Sequence, residues 1–229
     1  MAERENILGR IREALRVTAP QPGHAPESHS HSAPGSWQLA AMRQWLPAVG
    51  ETFEQRLELF KTNSASLKAD FQLVSNYDEL VERLRALRDN EAWTKVGTHS
   101  GELTDSVCPE LKLPVCRTDK RYPMAELETC SVGITQCDAL VAQTGSVLVT
   151  SRSAGGRALS VLPPHHVVLT HRRQLVRDLP EAFELLKSAY APNYPSFISF
   201  ITGPSRTGDI ERILVLGAHG PKKLTIFCL

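Results

Sequence analysis

The chain has 229 residues, of which 41% are apolar and 22% charged, and a formal charge of +1 from 26 Lys and Arg against 25 Asp and Glu. These values are typical of a globular protein and give no bulk field that would attract nucleic acid or an acidic membrane. No apolar run approaches the roughly 20 residues that span a bilayer, and the N-terminal MAERENILGRIREALR lacks the apolar core of a signal peptide. We therefore expect a cytoplasmic protein that has no membrane span and binds no nucleic acid.

The cysteines indicate reduced thiols. Their number is odd, and no two are spaced as C-x-x-C, so the patterns of a zinc ribbon and of an iron–sulfur cluster are missing. We expect no metal, no cofactor and mostly buried thiols at the five positions Cys108, Cys116, Cys130, Cys137 and Cys228.

The N-terminal region divides into a helix and a linker. Apolar residues at helical spacing predict a helix over residues 4–16. Residues 18–36 contain four Pro, four Ser, three His and two Gly, and no aliphatic side chain larger than Ala. Such a segment buries too little surface to offset its ordering entropy, so we assign 17–36 as a linker and 37–229 as one domain. The linker histidines are a conceivable metal-binding tract, but the composition strongly favours a solvated linker.

The first half of the domain alternates helices with strands. Phe53, Leu57 and Phe60 predict a helix within residues 51–62, and residues 71–74 form a strand candidate. Asn76 or Asp78 can cap the next helix, which leads to a strand over residues 92–98. This β–α–β order predicts an α/β fold, a twisted and mainly parallel sheet with helices on its faces.

The second half is richer in strands. Residues 102–127 suggest short strands or a flap around a cleft, and the next strand-like pieces are interrupted by Gly133 and Gly145. We predict one helix, over residues 180–190, and seven strand-like segments, over residues 131–135, 139–142, 146–150, 166–170, 197–202, 213–216 and 224–228.

The densest polar segment is the turn TGPSRTGDIE at residues 202–211. The backbone N–H groups of a turn bracketed by Gly203 and a second glycine can form an anion-binding concavity, and Ser205 and Thr207 add hydroxyl donors. Arg206 can bind a carboxylate or phosphate with two parallel hydrogen bonds. Asp209 can cap a following helix. The spacing matches neither a dinucleotide-binding loop nor a P-loop, so a plain hydrophilic turn remains an equal alternative.

Two further turns are candidates. Gln143, Thr144, Gly145 and Ser146 fit a hairpin turn, or alternatively a close backbone approach to a ligand that Gln143 would contact. His219, in the turn at 217–221, is either an acid/base group or a solvated loop histidine. We expect the three turns to meet on one side of the sheet, at strand ends, where open α/β sheets bind ligands.

Other polar residues carry weaker signals. His165 and His166 begin a strand, whose adjacent side chains face opposite ways, so they should not chelate one metal. Arg117, Lys120 and Arg121 form a basic cluster that suits an anionic partner, or simply solvent.

These segments together resemble the LUD-domain family, and the resemblance covers residue 50 to the C-terminus plus the N-terminal helix. It rests on the motifs GIT at 133–135, QTGS at 143–146, GPSRTGDIE at 203–211 and LGAHGP at 216–221. The resemblance implies a fold like that of the NagB/RpiA/CoA-transferase group. It also implies a role as one of three proteins that oxidise L-lactate to pyruvate, beside a cysteine-rich redox subunit and an iron–sulfur subunit with its own LUD domain.

One departure from the family pattern bears on chemistry. Relatives often have Glu-x-Gly where this chain has Gln143-Thr144-Gly145. CoA-transferases form an acyl intermediate on that glutamate, and a neutral amide cannot serve as the nucleophile. We therefore favour a cluster-free subunit that binds a small carboxylate, a phosphate or its partner subunits. The alternatives are a stand-alone enzyme acting on a sugar phosphate or an acyl-CoA-like substrate, and an electron carrier, which the cysteine spacing disfavours.

Overall fold

The computed structural model describes residues 47–207, 215–217 and 219–229, with only the backbone of residues 207, 215 and 216. The helix and linker expected over residues 4–36, and Asp209, lie outside these ranges. The helices are α1 (Phe53–Ser66), α2 (Tyr77–Asn90), α3 (Glu102–Val107), α4 (Met124–Glu128) and α5 (Leu179–Tyr190). The strands are β1 (Asp70–Leu73), β2 (Val96–Thr98), β3 (Val115–Arg117), β4 (Val132–Gln136), β5 (Ala139–Val141), β6 (Ser146–Thr150), β7 (His165–Thr170), β8 (Leu175–Val176), β9 (Ile198–Ile201), β10 (Arg206–Thr207), β11 (Val215–Leu216) and β12 (Lys223–Cys228). Short 3-10 turns cover Cys108–Leu111, Ala158–Ser160 and Arg172–Gln174.

The main sheet has six strands in the order β1-β12-β7-β4-β2-β3, and every neighbouring pair is parallel. All six residues of β7 are buried, as expected for a central strand covered on both faces. Helices α2 and α3 pack on one face, where Leu84 and Val107 join Val167 and Phe227 in one apolar cluster. Helix α1 packs on the other face through Phe60, which clusters with Ile226. The predicted α/β fold, with a mainly parallel sheet between helices, is confirmed.

A second, smaller sheet covers the α1 side of the molecule, with strand order β8-β5-β6-β9. Its strands alternate between two clusters because successive side chains face opposite ways. Leu140 and Val147 pack toward the main sheet, whereas Val141 and Leu148 pack against α5 through Leu186. The sequence predicts three of these strands but not their separation into a sheet of their own.

The helix starts follow from their capping residues. Of the two candidate caps of α2, the structure uses Asn76, whose side chain accepts from the backbone N–H of Glu79 at 2.9 Å. Asp78 lies in the first turn, where its charge complements the helix dipole. In α1, Thr52 and Gln55 form a capping box.

Two local predictions are wrong. Gly133 does not interrupt a strand but lies inside β4, because main-chain pairing with β2 and β7 outweighs its weak strand propensity. Residues 102–127 form α3, α4 and one short strand, β3, rather than a flap of strands. Leu103, Val107 and Leu111 are spaced at four residues and are buried together, as on one face of a helix. The polar residues and prolines between and after them make this helical spacing weak in the sequence.

Candidate functional site

A cavity of about 260 Å³ lies beside the amino ends of β7 and β12. Its lining comes from residues 160–161, 201–205 and 219–221, together with His166 and Leu224. His166 and Leu224 are paired neighbours in the main sheet, each the second residue of its strand. Open α/β sheets bind ligands mostly at carboxyl ends, so this position differs from the usual one.

Gly133 of the GIT motif packs against the segment that forms one wall of the cavity. A Cβ at Gly133 would lie 2.3 Å from the carbonyl oxygen of Leu159 and 3.0 Å from Cγ of Pro163. Glycine therefore lets the 3-10 turn at Ala158–Ser160 pack directly on β4. This contact places Ser160 in the cavity wall, with its hydroxyl donating to the carbonyl of Arg157 at 3.1 Å.

His166 is a buried polar side chain of the cavity and is only 1% exposed. Its Nε2 lies 2.9 Å from the hydroxyl of Thr135, the last residue of the GIT motif. Its Nδ1 is buried and has no hydrogen-bond partner among the described residues. Burial lowers the pKa of His166 to about 3, so the ring is uncharged at neutral pH.

Two of the predicted turns meet at the cavity. The N–H of Ser205 donates to the carbonyl of Pro221 at 2.9 Å, and the N–H of Gly217 donates to the carbonyl of Ser205 at 2.8 Å. Gly203 has a φ of +84°, and a Cβ there would lie 2.5 Å from the carbonyl oxygen of Leu67, so glycine is required. The short ribbon of β10 and β11 continues this junction.

Exposed polar side chains lie in the cavity lining and next to it. His219 is an exposed residue of the lining. Arg206 is exposed and does not line the cavity, but its Nη2 donates to the carbonyl of the lining residue Thr202 at 3.4 Å. The hydroxyl of Thr202 is 2.8 Å from that of Ser146, so the last residue of the 143–146 turn contacts the cavity lining. Of Thr207 only the backbone is described, in β10.

The other residues of the 143–146 turn lie outside the cavity, against Pro47 and helix α1. Nε2 of Gln143 donates to the carbonyl of Pro47 at 3.2 Å, and Thr144 and Gly145 do not line the cavity. Nδ2 of Asn63 donates to the carbonyls of Ala142 and Gln143, both at 2.9 Å. The turn is thus a hairpin turn, as its sequence suggests, against which α1 packs.

A second polar cluster lies at the carboxyl ends of β2 and β3. Arg117 contacts carboxylate oxygens of Asp105 at 2.7 Å and Asp119 at 3.3 Å, and Asp119 accepts from Ser100. His99 is buried, accepts from the N–H of Gln136, and has its pKa lowered by that burial. These side chains have partners within the protein, so the cluster is stable without a ligand.

The described residues offer little for metal or thiol chemistry. No group of three or more His, Cys, Asp or Glu within them is arranged to hold a metal ion. The five cysteines are buried and unpaired, and burial raises the pKa of Cys108 to about 11 and of Cys137 to about 12. No helix within the described ranges is long and apolar enough to cross a membrane.

Sequence patterns alone do not place His166, Thr135 or Ser160 at this site, although His166 stands in the predicted strand 166–170 and Thr135 ends the GIT motif. Thr135 and His166 are 31 residues apart, so no local spacing connects them. A signal was nevertheless present, because a histidine inside an otherwise apolar strand must find a polar partner.

Comparison with known proteins agrees with this architecture. Residues 25–229 match the family model of the LUD domain. A lactate utilization protein C from Shouchella clausii is 30% identical over 74% of this chain and 77% of that protein. One from Bacillus velezensis is 26% identical over 94% of this chain and 88% of that protein. A third, from Halalkalibacterium halodurans, is 40% identical, but the match covers only 45% of this chain and 46% of that protein.

A solved structure supports the fold. The crystal structure of a DUF162 family protein from Deinococcus radiodurans superposes with a TM-score of 0.62 at 22% identity, covering 78% of this chain and 99% of that one. Fold and sequence therefore agree, and the chain belongs to the LUD-domain family, with relatives named lactate utilization protein C.

Proposed function

We propose that this protein is the cluster-free LUD-domain subunit of a system that oxidises L-lactate to pyruvate. The observation that carries the proposal is the similarity to proteins named lactate utilization protein C, one of which aligns with 94% of this chain. The cavity supports this proposal. Residues 203–205 and 219–221 line the cavity, and they belong to the motifs at 203–211 and 216–221 that resemble those of the family.

The redox chemistry of such a system belongs to other subunits. The cysteines of this chain lack cluster spacing, and burial keeps Cys108 and Cys137 protonated at neutral pH. The proposed partners are a cysteine-rich redox subunit and an iron–sulfur subunit that carries a LUD domain. We place the system in the cytoplasm, where unpaired thiols stay reduced.

The contribution proposed for this chain is to bind a small carboxylate or phosphate at the cavity. Ser160, Thr202, Ser205 and His219 belong to its lining. Arg206 does not, but it is exposed and donates from Nη2 to the carbonyl of Thr202. A stand-alone enzyme with a covalent acyl-CoA intermediate is less well supported, since Gln143 is an amide and lies outside the cavity.

A growth test decides the proposal. A strain with an in-frame deletion of this gene should fail to grow on L-lactate as sole carbon source and should grow normally on pyruvate. A plasmid copy of the gene should restore growth, and a tagged copy should co-purify the two partner subunits. Growth of the deletion strain on L-lactate at the wild-type rate would refute the proposed function.

A further inference from the structure

Cys116 and Cys130 lie beside each other on one face of the main sheet, at its edge. Cys116 is the middle residue of β3, the last strand of that sheet, and is paired in register with Gly97 of β2. Paired residues of a parallel sheet point to the same face, so the side chain of Cys116 stands next to the space above Gly97. A Cβ at Gly97 would lie 3.5 Å from Sγ of Cys130 and 2.8 Å from Cδ1 of Leu127, so these two side chains fill that space. The sulfur atoms of Cys116 and Cys130 are therefore neighbours.

Burial controls the acidity of this pair of thiols. Both cysteines are 2% exposed and belong to one small apolar cluster. Burial raises the pKa of both thiols, that of Cys130 to about 11, and the contact between the thiols opposes this rise at Cys116 and adds to it at Cys130. Lys95 and Glu126 form an ion pair at 2.9 Å next to the thiols, in which the ammonium lowers the pKa of both and the carboxylate raises it. Cys116 is thus the thiol that ionises first, and both are protonated at neutral pH.

The other cysteines, all within the described ranges, are not placed to form a bridge. Cys137 directly follows β4 and Cys228 ends β12, and β7 runs between those two strands. Two strand spacings are about 10 Å, beyond the roughly 7 Å between Cα atoms that a disulfide tolerates. Cys108 packs on the opposite face of the sheet, where its thiol donates to the hydroxyl of Thr98. The fold therefore provides one candidate bridge, within the pair in β3 and after α4.

We propose that Cys116 and Cys130 form an oxidation site, at which a low-molecular-weight disulfide such as oxidised glutathione converts the two thiols reversibly into a disulfide. The thiolate of Cys116 attacks the S–S bond of the oxidant, which forms a mixed disulfide and releases one thiolate. The thiolate of Cys130 then attacks the sulfur of Cys116, which closes the bridge and releases the second thiolate. The protein loses two electrons and two protons, and the oxidant becomes two thiols. This inference does not depend on the proposed role in lactate oxidation.

The state of this bridge follows the ratio of oxidised to reduced glutathione. In a reducing cytoplasm the two thiols are free, as the structure has them, and a rise in oxidised glutathione favours the bridge. The bridge would connect β3 to the segment after α4, and Arg117 directly follows Cys116 in β3. Oxidation would thus fix the edge strand that carries the Arg117 cluster.

Mass spectrometry of the full chain tests the inference. The wild-type protein is incubated with oxidised glutathione, denatured, alkylated and digested. We expect a linked peptide pair that joins Cys116 to Cys130, with the other three cysteines alkylated, and all five alkylated after treatment with dithiothreitol. The bridge should form about tenfold faster at pH 8 than at pH 7, because the thiolate fraction rises tenfold per pH unit below the pKa of a thiol.

Four results with the wild-type protein would each overturn the inference. They are the absence of a linked peptide, a bridge to another cysteine, a bridge between two chains, and a modification that dithiothreitol does not reverse. An equal rate at pH 7 and pH 8 would contradict attack by a buried thiol that must first ionise. These measurements need no variant, so they remain decisive however the variants fold.

Serine variants identify the reacting thiols. Cys116→Ser and Cys130→Ser should each abolish the intramolecular bridge. Cys137→Ser is the matched control, because it removes a buried thiol from another cluster, and it should form the bridge at the wild-type rate. Loss of the bridge in Cys137→Ser, or its persistence in either of the other two variants, would refute the assignment.

The melting temperature provides a second readout. The bridge closes a loop that contains α4 and restricts the unfolded chain, so the oxidised wild type should melt at a higher temperature than the reduced protein. An equal or lower melting temperature after oxidation would show that the bridge does not fit the native fold, and the inference would then be wrong.

Discussion

Two adjacent histidines of β7 occupy different surroundings because a strand turns successive side chains to opposite faces. His165 lies against Trp93, with Glu91, Lys223 and Asp70 as the charged groups that influence it. His166 lies over Thr135, and the positive form of His165 is the charge that disfavours its protonation. Neither ring is hydrogen-bonded to a carboxylate. Burial outweighs the attraction of Glu91 and Asp70 for a charged His165, so the pKa of both rings is lowered and both are neutral at pH 7.

This burial makes the stability of the fold depend on pH. Burial lowers the pKa of His165 to about 4 and of His166 to about 3, against about 6.5 in the unfolded chain. Below about pH 6.5 the unfolded chain therefore binds protons that the folded chain does not. We expect the free energy of unfolding to fall by about 1.4 kcal/mol per pH unit for each histidine as the pH drops toward 4.

Urea unfolding between pH 7.5 and pH 4.5 measures this slope. Removing one of the two groups, as in His165→Phe, should reduce the slope by about 1.4 kcal/mol per pH unit. A slope that is the same in the variant and the wild type would show that His165 titrates normally in the folded state.

Arg206 tests whether the turn beside the cavity binds an anion. Its guanidinium is exposed, and its contact within the described residues is the long hydrogen bond to the carbonyl of Thr202. If it binds a carboxylate, Arg206→Ala should lower ligand affinity by about 10- to 150-fold, equivalent to about 1.5–3 kcal/mol. Stability should change by less than about 0.5 kcal/mol.

The melting temperature and the growth rate on L-lactate distinguish this from a structural role. A variant that melts early and grows normally would indicate that Arg206 holds the loop instead. Arg206→Lys is the control for charge alone, since a lysine cannot reproduce the two-pronged contact.

At the scale of elements, the contact between α1 and the β5–β6 hairpin holds the second sheet against the helix. The side-chain amide of Asn63 in α1 donates to the carbonyls of Ala142 and Gln143 in the hairpin. Gly145 has a φ of +66° and lies so close to α1 that a Cβ there would be 2.7 Å from the backbone nitrogen of Ser64. Thr202, at the end of β9, contacts Ser146 of the same hairpin. The hairpin thus connects α1 with the rim of the cavity.

Removing the amide of Asn63 should loosen this connection. Asn63→Ala leaves the carbonyls of Ala142 and Gln143 without their donor, and we expect a loss of about 1–3 kcal/mol in the free energy of unfolding. Ser66→Ala, which removes an exposed hydroxyl from the end of the same helix, should cost less than about 0.5 kcal/mol. If chemical denaturation shows an equally small loss in the free energy of unfolding for both variants, the contact of Asn63 with the hairpin does not stabilise the fold.

Sequence patterns located the elements better than the site. Helix α2 and its cap Asn76 follow from local rules, because capping and periodicity involve residues three or four apart. The partnership of Thr135 with His166 depends on strand register, which the sequence does not show. Gln143 was singled out correctly as part of a turn, but its contact with Pro47 depends on where a distant segment packs.

At the scale of the whole molecule, the thiols are distributed among separate parts of the core. Cys137 and Cys228 belong to the cluster between the main sheet and α1, Cys108 to the opposite face, and Cys116 with Cys130 to a third cluster. A four-iron cluster needs four thiolates around one centre. This distribution brings at most two together in any one cluster.

The purified protein should therefore be colourless and free of stoichiometric iron. Ultraviolet–visible spectra and elemental analysis of protein prepared without oxygen measure this directly. A broad absorption near 400 nm, with about four iron atoms per chain, would contradict the expected outcome. Reconstitution with iron and sulfide, followed by desalting, provides the control for metal lost during purification.

The cavity lies at the amino ends of β7 and β12, and the Arg117 cluster lies at the carboxyl ends of β2 and β3, so the two are at opposite edges of one parallel sheet. Strands β7 and β12 have six residues each and are about 20 Å long. In the proposed function, a small molecule at the amino edge of the sheet would therefore not compete for space with a partner subunit at the carboxyl edge. Ligand exchange and subunit attachment would then be independent of each other. A subunit of that kind would stay in its assembly while ligands enter and leave the cavity.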